Sequence, residues 1–328
     1  MHTLPLRAGW LAAGLLAGML LNLHALPLAA QAPVEFREVH LGMEVRIAVA
    51  APPTPRLDSA VAAAFGEIAR LEGILSDWRG DSELNRVVDR QGEWTAMSPE
   101  LTAVLARALA LARASDGAFD PTIGRLTALW REERRTGTPP TDAARRAAHA
   151  TVGWGRVRLD SLHHRVSLPR NGLRLDLGGI AKGWILDRAR DTLRARGYRA
   201  VLLEAGGDLV LGEGPPGTSG WRVAVSTSAG DSVLVVQDLA MATSGPAAQA
   251  FTDGVGRRQS HVIDPRTARG LDRDTQVTVL GADAATTDAV ATTLTLLPRS
   301  RWDAVLRRFG VQLVAVAGQE VGGASPPR

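Results

Sequence analysis

The residues best suited to chemistry lie in Leu173-Arg174-Leu175-Asp176-Leu177-Gly178-Gly179-Ile180-Ala181-Lys182-Gly183-Trp184-Ile185-Leu186-Asp187. A β-rich run, Leu173 to Leu177, meets Gly178-Gly179 and restarts as an apolar helical pattern through Ile185, which predicts a strand, a glycine turn holding Lys182, and a helix start. Glycines let a ligand approach the backbone, helix-start N–H groups favour anions, and the lysine adds a full positive charge. The chemistry expected is the holding of a phosphate or diphosphate. Neither G-x-G-x-x-G nor G-x-x-x-x-G-K-[ST] fits, because the lysine here precedes its glycine. A tight strand-to-helix connection with a solvated lysine explains the same stretch.

Four other stretches carry candidate chemistry, each with a plainer explanation beside it. Asp288 and Thr292 are i and i+4, so a carboxylate and a hydroxyl share one helical face, two oxygen ligands of the kind Mg²⁺ takes; Asp288 as a helix cap is the alternative. His261, next to Ser260 and three residues before Asp264, titrates near neutral pH and suits proton removal from a hydroxyl, or is structural. Trp78, in the polar loop Ser76-Asp77-Trp78-Arg79-Gly80-Asp81-Ser82-Glu83, is a plate for a planar ligand or a tryptophan folded onto the core. Gly117-Ala118-Phe119-Asp120-Pro121-Thr122 is a pocket wall or an Asp-Pro turn with Phe119 buried.

The elements that must position these residues can be read in outline. Val45 to Val49 alternates as a strand, and Asp58 is expected to cap a helix burying Val61, Phe65, Ile68 and Leu75. Ser98-Pro99-Glu100 opens a helix that ends near Asp116-Gly117. Leu126 to His149 is helical and charged, broken at Gly137-Thr138-Pro139-Pro140. Strands follow at Val157 to Leu159, Val166 to Leu168 and Leu173 to Leu177. Ala200 to Glu204 and Leu209 to Leu211 form a hairpin about Gly206-Gly207, with Asp208 closing the turn. Trp221 to Ser226 and Val233 to Leu239 are strands leading to Met241-Ala242-Thr243-Ser244-Gly245. After the Gln276 to Leu280 strand, a helix is expected to start near Thr287. Ser300 is placed as the cap of a last helix, closed by Gly310 before a Val311 to Val316 strand.

Composition narrows the class. The 328 residues are 45% hydrophobic with a net charge of +4 and no cysteine, ordinary for a chain that buries a core, with no disulfide framework and no lipid-attachable cysteine. No basic run interleaved with aromatics marks a nucleic-acid surface. Residues 1–30 read as a signal peptide: Arg7, an uncharged apolar run from Ala8 to Leu23 too short for the ~20 residues of a membrane span, then small residues to Ala32. The mature chain, without a membrane span, is expected in the periplasm. Residues 31–321 form the functional domain, and 322–328, rich in Gly and Pro, a loose tail.

Taken in order, Ser76-Asp77-Trp78 with Asp81-Ser82-Glu83, Gly117-Ala118-Phe119-Asp120-Pro121-Thr122, Asp176 to Gly183, His261-Val262-Ile263-Asp264-Pro265 and Asp288-Ala289-Val290-Ala291-Thr292 resemble the FAD:protein FMN transferase (ApbE) family. Ala205-Gly206-Gly207-Asp208 and Ala242-Thr243-Ser244-Gly245 match as well, and the resemblance runs from about Val39 to Val316. It implies an α+β fold with a mixed β-sheet core flanked by helices, T-fold-like in architecture. It also implies FAD bound with Mg²⁺, and transfer of FMN from FAD to a threonine or serine hydroxyl of an acceptor flavoprotein, such as a subunit of a membrane redox complex, with release of AMP. On that likeness Leu41, Trp78, Ala118, Phe119, Asp120, Asp176, Lys182, His261 and Ile263 line the FAD site. Gly179, Asp288, Ala291 and Thr292 hold the metal, and His261, with Asp288 as rival, is the base. Two departures stand out: Leu41-Gly42-Met43 replaces a Met-Gly-Thr element, and Trp78 stands where the family usually has tyrosine. A Mg²⁺-dependent FAD pyrophosphatase and a non-catalytic FAD-binding protein are the competing readings.

Overall fold

The computed structural model describes residues 32–227, 230–245, 250–253, 256, 258–272 and 275–317, so the expected signal peptide and C-terminal tail lie outside the described residues. The helices are α1 (Pro55–Leu75), α2 (Glu83–Val88), α3 (Pro99–Ser115), α4 (Gly124–Thr136), α5 (Asp142–His149), α6 (Gly178–Ala195), α7 (Ala284–Leu296) and α8 (Trp302–Phe309). Strands begin with β1 (Val34–His40), β2 (Met43–Val49), β3 (Trp94–Ala96), β4 (Arg158–Asp160), β5 (Arg165–Ser167), β6 (Val201–Ala205) and β7 (Asp208–Leu211). They continue with β8 (Trp221–Thr227), β9 (Gly230–Val236), β10 (Leu239–Ser244), β11 (Phe251–Thr252), β12 (Arg258–Gln259), β13 (Ile263–Asp264), β14 (Arg269–Gly270), β15 (Gln276–Gly281) and β16 (Gln312–Ala317). No described helix is long and apolar enough to cross a membrane.

The framework is a seven-stranded sheet in the order β1-β2-β6-β7-β10-β15-β16. Each neighbouring pair in it is antiparallel, so the α+β core of sheet flanked by helices is as expected while its strands are not mixed in direction. Alternation decides what each face touches. Val45, Ile47 and Val49 of β2 join Leu203, Val210, Val277 and Val279 in a core shared with α1, α6 and α7. On the opposite face Ala48, Leu202, Leu209, Leu211 and Met241 are covered by Trp221, Val223 and Val225 of the β8–β9 ribbon. The fold is therefore helices, sheet and ribbon in three layers, with α7 buried almost all round.

Several local expectations change. Thr54 caps α1, its hydroxyl accepting from Leu57 N with Pro55 following, and Asp58 falls in the first turn. Leu173 to Leu177 alternates as a strand should, its leucines buried, yet pairs only through a single parallel bridge between Arg174 and Ile123. Its other backbone groups go elsewhere: Asp176 N donates to Pro121 O, and Leu173 O accepts from the Gln91 side chain. The expected Val233 to Leu239 strand breaks at Asp238, which has a φ of 50°, and Met241 to Ser244 belongs to β10 rather than to a connection. Ser300 lies in a 3₁₀ turn, and α8 starts at Trp302 without a side-chain cap.

Candidate active site

Strand register brings several loops to one end of the sheet. Val45 pairs with Ala205, and Ala205 with Asp208, so the Leu41-Gly42 turn and the Gly206-Gly207 turn emerge side by side. Met241 faces Leu209 on the next strand, which carries Thr243 and Ser244 past that end, and Thr243 continues the row to Thr278 of β15. Leu41 sits here half-buried in a left-handed conformation, φ 56°. The first turns of α6 and the middle of α7 close over this end.

The glycine-lysine stretch differs from its expected form. Gly178 and Gly179 are the first residues of α6, and Lys182 stands on the helix rather than in a turn. Asp176 Oδ1 accepts from Gly178 N at 2.8 Å, anchoring that helix start. A Cβ on Gly179 would lie 3.1 Å from Phe119 Cε2 and 3.7 Å from Thr292 Cγ2, so Gly179, Phe119 and Thr292 meet at one point.

Lys182 does not dangle in solvent. Its Nζ is ion-paired with the buried Asp208 carboxylate and lies 3.4 Å from Asp288 Oδ1. Asp288 Oδ2 in turn accepts from Gly183 N at 3.1 Å. In a regular helix that N–H belongs to the carbonyl of Gly179, so the carboxylate competes for the proton the Gly179 oxygen would otherwise hold. Asp288 is not a cap: α7 begins at Ala284 with Asp283 accepting from Thr286 N, and Asp288 lies more than a turn inside, 5% exposed. Its hydroxyl companion Thr292 donates to Ser244 Oγ at 3.4 Å.

His261 is partly buried, with Trp130 edge-on at 6.5 Å. Its polar neighbours in sequence are committed elsewhere: Ser260 Oγ accepts from Val262 N and Asp264 holds Arg266. Its Nδ1 is buried with no hydrogen-bond partner among the described residues. Burial first, then the charges of Lys182 and Arg134, push its pKa down to about 4, so the ring is neutral at pH 7 and able to accept a proton.

Trp78 is 71% exposed, against the packed alternative. One of its faces is covered by the Arg131 guanidinium, 3.7 Å from the ring centroid. Arg131 also forks onto Asp77 and lies 3.9 Å from Asp176, which links the tryptophan loop to the start of α6. Burial, and then the Asp176 charge, push Asp77 up to about 6 against the pull of Arg131. Ala118 and Phe119 are buried, and Asp120 spends its carboxylate on Thr122 and on Trp154 N, fixing the turn behind Gly179. Ile263 and Ala291 are buried, Ile263 against Leu126 and Trp130.

Sequence reasoning placed Asp208 as a turn residue and gave Arg131 and Ser244 no role. A carboxylate directly after Gly-Gly was the available signal for Asp208; Arg131 sat in a charge cluster that reads as a solvated face. No three His, Cys, Asp or Glu side chains cluster as a metal centre among the described residues. Asp288, the Thr292 hydroxyl and the Gly179 carbonyl are hard oxygen donors with one charge, a set that suits a cation keeping several of its waters, as Mg²⁺ does.

Comparisons with known proteins agree with this geometry. Residues 41–315 match the ApbE family. A FAD:protein FMN transferase of Vibrio cholerae is 33% identical over 262 residues, 76% of this chain and 76% of that protein. One of Klebsiella pneumoniae is 31% identical over 252 residues, 74% and 77%. The flavin transferase ApbE structure from Vibrio cholerae has a TM-score of 0.75 and 27% identity over 86% of this chain and 93% of its own. The ApbE protein of Thermotoga maritima gives a TM-score of 0.75 and 30% identity over 88% and 97%. With the family's motifs assembled at one end of a sheet of the same fold, the chain belongs to the ApbE family.

Proposed function

We propose that the chain is a Mg²⁺-dependent FAD:protein FMN transferase that acts in the periplasm on a threonine or serine hydroxyl of an acceptor flavoprotein. The observation that carries this reading is Lys182 held between Asp208 and Asp288 at the start of α6, beside Gly179 and Thr292. Two carboxylates outweigh one ammonium, so a diphosphate, itself an anion, would be repelled by this arrangement alone. A divalent cation reverses the balance.

Asp288, Thr292 and the Gly179 carbonyl, with Ala291 beside them, would hold Mg²⁺, which when bound neutralises charge on the diphosphate oxygens. Lys182, at the positive end of the α6 dipole, binds the same oxygens. The bare face of Trp78, backed by Arg131, takes a planar ring of FAD. The acceptor hydroxyl then attacks the phosphorus on the flavin side, the bond to the bridging oxygen breaks, and AMP departs with that oxygen. The hydroxyl proton passes to His261, whose neutral ring keeps a lone pair for it. Such a loose phosphoryl-type transfer asks mainly for positioning and charge stabilisation, which explains a site without a nucleophile of its own.

The test is to incubate the mature chain with FAD, Mg²⁺ and a candidate acceptor and to weigh the acceptor. A gain of one FMN moiety, lost in Asp288→Ala, is expected. Free FMN and AMP with an unlabelled acceptor would instead mark a pyrophosphatase, and FAD binding without AMP release a carrier.

A further inference from the structure

Asp187 is a buried carboxylate with no part in the chemistry above. It is 2% exposed on α6, five residues beyond Lys182. Its Oδ2 accepts from Ala285 N, in the first turn of α7, at 3.1 Å. Its Oδ1 has no hydrogen bond among the described residues and only Arg190, one turn on, at 3.5 Å. An acid so placed loses hydration, and burial pushes its pKa up to about 6 although the amides of Ala284 and Ala285 pull it down. The first turn of α7 already has a cap in Asp283, which holds Thr286 N and its hydroxyl. Asp187 takes a different first-turn amide, Ala285 N, so a carboxylate from α6 shares the capping of α7 and ties the two helices together.

What Asp187 does becomes visible beside Gly183. The two helices touch backbone to backbone there, since a methyl on Gly183 would overlap the Ala284 carbonyl. Gly183 N of α6 donates to Asp288 of α7, while Ala285 N of α7 donates to Asp187 of α6. These two bonds run in opposite senses, with their anchors four positions apart on α6 and three apart on α7. Four residues span ~6 Å of helix and three ~4.5 Å, so the pair pins α7 against sliding along α6. Whatever fixes that register also fixes Asp288 and Thr292 opposite Gly179 and Lys182.

We propose that Asp187 is a positioning residue of the diphosphate and metal site, acting as the hydrogen-bond acceptor that sets the register of α7 on α6. The inference rests on the transferase reading for the identity of the site, but its test does not require turnover. Mn²⁺, followed by electron paramagnetic resonance, is titrated into the full mature chain with ADP present as an unreactive diphosphate. Asp187→Ala should weaken Mn²⁺ binding about tenfold and raise the Mg²⁺ concentration that half-saturates FMN transfer by a similar factor. Asp187→Asn keeps an acceptor oxygen of the same reach and should restore most of that loss, whereas Arg190→Gln, which removes only the ion pair, should bind Mn²⁺ as wild type.

Should Asp187→Ala fail to fold, Asp187→Glu keeps the charge and lengthens the arm by one methylene, and it should weaken Mn²⁺ binding through register alone. Wild-type Mn²⁺ affinity in a folded Ala or Glu variant overturns the proposal, as does an Asn variant no better than Ala. A wild-type chain that binds Mn²⁺ and ADP yet transfers no FMN would sink the transferase reading while leaving the role of Asp187 intact.

Discussion

The contact between α6 and α7 makes Gly183→Ala a decisive substitution, because two effects of opposite sign compete there. Alanine is the better helix former by about 1 kcal/mol, which alone would raise the melting temperature by about 2–4 °C in a domain of this size. Against it, the new methyl would overlap the Ala284 carbonyl and stand 2.7 Å from Ala285 N. Carbon contacts settle near ~3.5 Å, so α7 must retreat by about 0.8 Å at the nitrogen and further at the carbonyl. Both obstacles are backbone and cannot rotate away. Overpacking of this kind costs about 1–3 kcal/mol, so the melting temperature should fall by a few degrees despite the gain in propensity. The catalytic loss should be larger, since a shift of ~1 Å in the position of Asp288 and Thr292 can cost ~10²-fold in rate. Gly73→Ala in α1, where a methyl meets nothing within 4 Å, is the matched comparison and should raise the melting temperature with no change in rate. Differential scanning calorimetry and acceptor mass gain read both quantities. A Gly183→Ala protein that melts higher and transfers FMN at the wild-type rate would refute the close-packed register of the two helices.

Four further outcomes are expected. Trp78→Ala should raise KM for FAD by roughly 5- to 150-fold, the worth of ~1–3 kcal/mol for one stacked ring, with kcat little changed, while Trp78→Tyr should stay near wild type; steady-state kinetics at varied FAD separates the two. Because the His261 pKa is pushed down to about 4, kcat/KM for FAD should show no inflection near the ordinary histidine value of 6.5. The same shift means the unfolded chain binds a proton that the folded chain refuses between pH 6.5 and 4, so this residue's contribution to stability is full above 6.5 and lost as pH falls. Denaturant midpoints of His261→Gln should therefore fall less steeply across that window than those of wild type. Asp208→Asn removes the buried partner of Lys182 but leaves Asp288 within reach, so urea unfolding should show a loss of about 1–3 kcal/mol, less than for a pair broken outright.

How far the sequence carried these conclusions depended on the distance over which each residue acts. Helical periodicity and caps work within a few residues, so α1, α3, α6 and the Ser98 cap were legible, and the Gly206-Gly207 hairpin was plain from its turn. Leu173 to Leu177 misled because alternation reports one buried face, and an extended segment buried on one face without a neighbouring strand produces the same pattern. The cap of α1 was misplaced since Thr54 and Asp58 are both good caps, and only the backbone shows which residue is extended. Among site residues, Lys182 and Asp288 were suggested by type and spacing. Their contact, 106 residues apart in sequence, is set by helix packing, which no local pattern encodes.

Asp208 shows the same limit from the other side. On its own strand it is the first residue after a tight turn, and a carboxylate there is ordinary turn chemistry. Its burial follows from the sheet: β7 lies between β6 and β10, and the start of α6 covers the end of the sheet where β7 begins. A carboxylate in that position loses its water and needs a cation to remain charged. Lys182 supplies one from α6, and the same lysine lies 3.4 Å from Asp288 on α7. The lysine that reads as an anion ligand in isolation is thus also the charge that lets sheet, α6 and α7 meet around two buried acids. Binding a diphosphate must draw Lys182 partly away from those acids, and that exchange of partners couples occupancy of the site to how tightly its walls are held.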